Sequence, residues 1–180
     1  MARLPYVDPE ASETVRKTFE ELPFQLNIVR MVAHAETCLR PMLRLGQAIL
    51  TAQQLDPLVR ELSILLVAVL SEAEYEWVQH EPIAVAVGAT AEQVDALRRR
   101  DLDSGAFDER QRVALRLTAQ VVLDADADDE TFAAAAEVLP PRELIELILA
   151  IGYYMTLARV MTVARIDPDA PAGVALDELE

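Results

Sequence analysis

Two carboxylates and an imidazole crowd one short stretch of this chain. Glu74, Glu76 and His80 stand in the run Glu74-Tyr75-Glu76-Trp77-Val78-Gln79-His80. Glu76 and His80 are four apart, which on a helix puts them on one face. A carboxylate so placed can accept a hydrogen bond from one imidazole nitrogen and orient the ring. The other nitrogen is then free to take or give a proton near neutral pH. Tyr75 and Trp77 flank the pair and offer a hydroxyl and an apolar wall. Upstream, Glu61 introduces ten residues without a charge, Leu62 to Ser71. A carboxylate at the mouth of such a buried helix is either paired or perturbed. Glu–His pairs at this spacing also occur on solvated helix faces, so spacing alone leaves the catalytic and the structural role both open.

Other reactive types are scattered. His34 lies in an apolar helix, where a satisfied, partly buried histidine is expected; it is kept as a candidate on the substrate side. Cys38 is the single cysteine. It has no local Cys or His partner and is expected to be inert. Tyr153 and Tyr154 fall in the last helix, where packing is their ordinary role. Arg98-Arg99-Arg100 reads as a solvated helix end that suits the helix dipole.

The elements that must position these groups are helices. Asp8-Pro9 reads as N-cap and first position of a helix reaching about Glu21. A short helix is expected from Ile28 to Ala35, and a third carries Leu39, Leu43, Gly46 and Leu50. Asp56-Pro57 repeats the cap-and-proline signature and opens a helix that is apolar nearly all round, hence buried on most sides. Ser71 to Ala73 breaks the pattern before a fifth helix that ends at Gly88. Thr90-Ala91-Glu92-Gln93 is a capping box. After a turn at residues 101–105, Asp108 starts a long helix through Leu123. A short Ala-rich helix follows, and Pro140-Pro141 opens the last one, Arg142 to Arg165, stopped by Asp167-Pro168. The expectation is one all-α domain over residues 1–166, with the two long apolar helices at its centre. An acidic flexible tail is expected over residues 167–180.

Composition narrows the function classes. The 180 residues are 52% hydrophobic with 5% aromatics, which suits one compact helical domain. Sixteen basic residues against 31 acidic ones give a net charge of −15. That disfavours a nucleic-acid partner, whose phosphates call for a basic surface, and an anionic membrane surface as well. One cysteine and two histidines make neither a disulfide nor a Cys- or His-rich metal site. There is no signal-like stretch at the start and no uninterrupted apolar run of about 18 residues. A cytoplasmic protein without metal or cofactor is expected.

The order of these features resembles the carboxymuconolactone decarboxylase and alkylhydroperoxidase D superfamily. Its peroxidase members carry Glu-x11-Cys-x2-Cys-x3-His. Here the Glu falls on Glu61 and the His on His80, while the two cysteine positions fall on Ala73 and Glu76. The lead-in from Asn27 to Ala35, Leu55-Asp56-Pro57 with Arg60-Glu61-Leu62, the helix from Ala89 to Leu97, and Gly152-Tyr153-Tyr154-Met155 with Ala158-Arg159 extend the likeness over most of residues 20–165. It implies a helical bundle of the alkylhydroperoxidase D-like type. The departure excludes carrying over the peroxidase mechanism, which needs a thiolate and a resolving thiol.

The decarboxylase branch, with Glu-x-Glu-x-x-x-His and no cysteine pair, is matched by Glu74, Glu76 and His80. It implies cofactor-free proton transfer on a small carboxylated or enolisable substrate. His80 is then the acid/base, Glu76 its orienter or partner base, and Glu61 a second carboxylate of the pocket. Tyr75 or Tyr154 stabilises a developing oxyanion, and Arg60 is a counter-ion for a substrate carboxylate. The resemblance also implies a homo-oligomer, a trimer or hexamer. The alternative is a non-catalytic ligand-binding or assembly protein on the same scaffold.

Overall fold

A computed structural model describes residues 1–22 and 25–170. Among them the regular elements are all helices: α1 (Glu13–Glu20), α2 (Asn27–Val32), α3 (Glu36–Thr51), α4 (Pro57–Leu70), α5 (Glu74–Ala86), α6 (Ala91–Arg98), α7 (Glu109–Asp124), α8 (Asp129–Val138) and α9 (Pro141–Ala164).

The helix at the centre is α4. The Asp56 side chain accepts the Val59 N–H at 3.0 Å, and Pro57 supplies a first position that needs no N–H partner. Every residue from Val59 to Ala68 is buried. That follows from the sequence, since a helix apolar on all faces finds its minimum only with neighbours on every side. It packs against α5, α6, α7 and α9. Its Ile64 and Val67 enter one core with Leu117, Leu147, Ile151 and Tyr154. Its Leu62, Leu65 and Leu66 enter a second with Trp77, Leu97, Phe107 and Leu115. A third core gathers Val15, Phe19, Ile28, Leu39, Tyr75 and Met161 under the N-terminal helices.

The longest helix, α9, is long and apolar enough to cross a bilayer by length and composition alone. Here it buries Leu144, Leu147, Ala150, Ile151, Tyr154, Ala158 and Met161 and packs against α2, α3, α4, α5, α7 and α8. The spacing of those residues, three and four apart, is one helix face.

The chain ends differ from expectation. α1 opens at Ser12, whose hydroxyl accepts the Val15 N–H. Asp8 instead closes a turn, its side chain accepting the Glu10 N–H and its carbonyl the Ala11 N–H. α9 stops at a left-handed Arg165, ahead of Asp167-Pro168. The start of the expected tail is tied down. Asp167 accepts the Tyr6 hydroxyl at 3.0 Å and lies 3.1 Å from the Met1 ammonium. Asp169 accepts the Asn27 N–H at 2.6 Å and the Tyr75 hydroxyl at 2.5 Å. Residues 171–180 lie outside the described residues.

Candidate functional site

The break between α4 and α5 sets the geometry. Ser71 ends α4, Glu72 turns left-handed at φ 54°, and the Ala73 N–H bonds the Ala68 carbonyl at 2.8 Å. The chain reverses, so α5 runs back along α4 and brings residues nineteen apart in sequence into contact.

His80 Nδ1 donates to Glu61 Oε2 at 2.8 Å. Arg60 Nε donates to Glu61 Oε1 at 3.0 Å. Arg60 also reaches the Ile49 carbonyl. Glu61 is completely buried, while the His80 side chain is 10% exposed. Burial pushes the Glu61 carboxyl up. The His80 hydrogen bond and charge, together with the Arg60 guanidinium, outweigh it and hold Glu61 below the usual carboxylate range. Glu61 is therefore the anion of a buried Arg60–Glu61–His80 chain. Among the described residues His80 Nε2 makes no hydrogen bond, so that nitrogen is the one placed to exchange a proton.

The expected bond from His80 to Glu76 is not formed, and this corrects the sequence expectation. Glu76 is on the same helix, one turn before His80, and fully buried. Both of its carboxyl oxygens lack a hydrogen-bond partner. Burial raises its pKa well above the ordinary value. An unpaired carboxylate in such a place costs several kcal/mol, on the order of what a small domain can spare. Glu61 reaches the imidazole from the facing helix and takes its Nδ1, so Glu61 and not Glu76 orients the ring.

Two tyrosines of α9 complete the cluster. The Tyr154 ring meets His80 edge-on, with centroids 4.7 Å apart at 84°. Burial and the charges of Glu61, Tyr153 and Glu76 raise the Tyr154 hydroxyl well above its ordinary pKa. Tyr153 packs edge-on against Tyr154 and donates its hydroxyl to the Met42 carbonyl at 3.1 Å. Burial and the Glu76 charge push it up to about 12. Its hydroxyl occupies space that Gly46 leaves open on α3, where a Cβ would come within 2.4 Å. The sequence expects Tyr153 to pack, as it does, but the room that Gly46 leaves for it is visible only in the packing of α3 on α9.

The remaining candidates lie elsewhere. Tyr75 turns to Asp169. Trp77 donates its indole N–H to Glu81 at 2.7 Å, and Arg98 stacks 3.7 Å above its ring. Glu74 holds Arg98 through both guanidinium nitrogens. Glu74, Trp77 and Arg98 line a separate surface cavity of about 260 Å³ with Ala68, Val69 and Glu72. His34 is exposed, its Nε2 2.7 Å from the Pro5 carbonyl. Arg60 is committed to Glu61 rather than offered to a substrate. Cys38 is exposed on α3, and the two positions that would need thiols hold the helix-capping Ala73 and the buried Glu76. Among the described residues no three His, Cys, Asp or Glu side chains are grouped to hold a metal ion.

Residues 37–120 match the Carboxymuconolactone decarboxylase family. A search of curated protein sequences returns no match. Among solved structures, an uncharacterized peroxidase-related protein from Silicibacter sp. TM1040 is similar at a TM-score of 0.77 and 20% identity, covering 93% of this chain and 91% of that one. The alkylhydroperoxidase AhpD core of an uncharacterized peroxidase-related protein from Ralstonia eutropha JMP134 is similar at 0.78 and 16%, covering 93% and 92%. The debrominase Bmp8, as a Cys-to-Ala variant in complex with 2,3,4-tribromopyrrole, is similar at 0.76 and 18% over the whole of both chains. These likenesses establish the fold as the alkylhydroperoxidase D-like helical bundle.

Proposed function

Starting from a carboxymuconolactone decarboxylase family segment set in an alkylhydroperoxidase D-like fold, we propose that this chain is a cofactor-free acid/base enzyme that decarboxylates a small carboxylated or enolisable metabolite. The observation that carries this reading is the Glu61–His80 bond of 2.8 Å, buried on the Glu61 side and slightly open on the His80 side. A buried anion fixes the tautomer of the ring and stabilises it when it takes a proton, which makes Nε2 an effective proton acceptor and donor. Loss of CO₂ leaves an electron pair in an enolate, and that step asks for proton delivery and for neutral donors near the oxyanion. Tyr154, whose ring packs edge-on against the imidazole and whose hydroxyl pKa is raised, is the candidate neutral donor. Isomerisation or dehydration needs the same parts and stands as the adjoining outcome. Reduction of a peroxide through a dithiol is not expected, because Ala73 and Glu76 hold the positions that would need sulfur.

The assembly is proposed to be a homo-oligomer. What supports this is the outer face of α9, where Ile145, Leu149 and Val163 are each more than half exposed. The same face would serve the alternative, a non-catalytic assembly or ligand-binding protein. The test is CO₂ release and product mass from a panel of carboxylated lactones and β-keto acids, with wild type and His80→Ala in parallel. Release by wild type alone supports the decarboxylase. A dehydrated or isomeric product keeps the site and changes the reaction. Equal release by both variants removes His80 from the chemistry.

A further inference from the structure

We propose that Arg60 is a positioning residue that keeps His80 Nε2 free of a proton at neutral pH, by holding the Glu61 carboxylate in place and cancelling its charge. The inference rests on the acid/base reading above and deepens it. It gives Arg60 a different part from the substrate counter-ion that the resemblance implies. An imidazole takes a proton at Nε2 only while that nitrogen is bare. A buried anion on Nδ1 works against this, because it draws a second proton onto the ring. Glu61 alone would therefore orient the base and lock it up at the same time.

Three observations put Arg60 in control of that balance. Its Nε lies 3.0 Å from Glu61 Oε1, while His80 Nδ1 holds Oε2 at 2.8 Å. One carboxylate is thus shared between a permanent cation and the ring. Arg60 is 5% exposed and Glu61 0%, so water screens the pair little. The guanidinium is also fixed from a third helix, its Nη1 reaching the Ile49 carbonyl in the last turn of α3 at 3.4 Å. Consecutive residues on a helix point about 100° apart, so spacing does not bring Arg60 and Glu61 together. The bond to α3 holds the guanidinium across α4 against its neighbour.

The groups around the ring make a short ledger. Arg60 and Glu61 face it from α4. Glu76 lies one turn back on α5 itself, where burial raises its pKa well above the ordinary value. Tyr154, with Tyr153 behind it, faces the ring from α9, and the hydroxyl pKa of each is raised. Asp169, on the chain end bonded to α5, is taken by the Tyr75 hydroxyl and the Asn27 N–H. The charges left to balance at the ring are Arg60 and Glu61, which sum to zero while the ring is neutral. Take Arg60 away, and a buried negative charge remains on the ring's own acceptor. A proton relieves it in one of two places. On the ring it makes an imidazolium, with protons on both nitrogens. On Glu61 it turns the bond around, so that the carboxyl donates to Nδ1 and the ring's own proton sits on Nε2. Both leave Nε2 protonated and remove the base.

The test is nitrogen NMR of the histidine rings in the full chain across the neutral pH range, for wild type, Arg60→Met and Arg60→Gln. His34 and His80 are the only histidines. His80→Gln assigns the signals, and the exposed His34 is the internal reference. Wild type is expected to show a bare Nε2 on His80 at neutral pH. Arg60→Met keeps much of the bulk without the charge, and it is expected to hold a proton on Nε2 to a pH about 1 unit or more higher, with His34 unmoved. Arg60→Gln is uncharged but able to donate to Glu61. It is expected to do the same, and it carries the test if Arg60→Met fails to fold. A protonated Nε2 in wild type at neutral pH overturns the proposal. So does a neutral variant whose Nε2 titrates as in wild type, whatever stability it loses in urea, because that is what a purely structural Arg60 predicts. The spectra are read without substrate, so failure of the decarboxylase reading in the substrate panel is told apart from failure of this assignment.

Discussion

Glu61 Oε2 lies 2.8 Å from His80 Nδ1, a contact between two helices that run back along each other from a three-residue break. The same carboxylate holds Arg60 on its other oxygen. Glu61 thus does two things at once, neutralising a buried guanidinium and fixing an imidazole. Substituting Glu61→Gln removes the charge and keeps the shape. It leaves Arg60 as an uncompensated buried cation, and we expect a loss of about 3–5 kcal/mol in urea unfolding. Turnover should fall about a hundredfold or more, with the loss in kcat. In a double-mutant cycle, Glu61→Gln with His80→Ala should cost less turnover than the sum of the two. Full additivity would mean that Glu61 does not act through the ring.

Glu76 makes stability depend on pH in a definite direction. Its folded pKa is raised from the ordinary 4.5. The proton is then held more tightly in the folded than in the unfolded chain. The contribution is complete below about pH 4.5 and is lost as pH rises toward the folded pKa, at up to about 1.4 kcal/mol per pH unit. Glu76→Gln has no proton to lose. Its stability relative to wild type should therefore grow between pH 5.5 and pH 8, measured by denaturant unfolding above the isoelectric point near 4.5. A constant difference over that range would mean that Glu76 is ionised in the folded protein.

The helices and the central place of α4 were legible because their causes are local. Asp56-Pro57, the Thr90–Gln93 box and the Asp108 cap form as their residue types require. The pairing inside the site was not legible. Sequence spacing put Glu76 beside His80, but two residues on one helix share a face without having to touch, while the facing helix delivered Glu61 head-on. Asp8-Pro9 misled for a related reason: the same two residues that start a helix also close a turn, and Ser12 competes for the cap. Tyr75 and Trp77 flank Glu76 in sequence, and on a helix each turns about 100° from it; Tyr75 goes to Asp169 and Trp77 to Glu81 and Arg98.

Gly46 is where α3 makes room for the site's outer tyrosine. A Cβ there would stand 2.4 Å from the Tyr153 hydroxyl and 2.9 Å from its ring carbon. Gly46→Ala gains about 1 kcal/mol of helix propensity but must displace a packed ring, at about 1–3 kcal/mol. The ring loses its bond to the Met42 carbonyl in the same movement. The clash outweighs the propensity, so thermal unfolding should come several degrees lower. Pairing it with Tyr153→Ala should remove most of that coupling. A Gly46→Ala protein as stable as wild type would mean that Tyr153 can move freely, and the packing behind Tyr154 would then not be rigid.

The outer face of α9 bears on how copies of the chain meet. Ile145, Leu149, Gly152, Thr156 and Val163 are exposed and lie three, four or seven apart on one side of the helix. Between Ile145 and Thr156 that side carries no charge, although the chain as a whole carries −15. Two such anions approach most easily through an uncharged apolar strip. Wild type is therefore expected to sediment as a multiple of 19.9 kDa. Ile145→Glu with Leu149→Glu should release the 19.9 kDa chain with its helix content unchanged, because both side chains already face outward. A wild type of single-chain mass would sink the oligomer. A double variant that keeps the wild-type assembly would place the interface on another face.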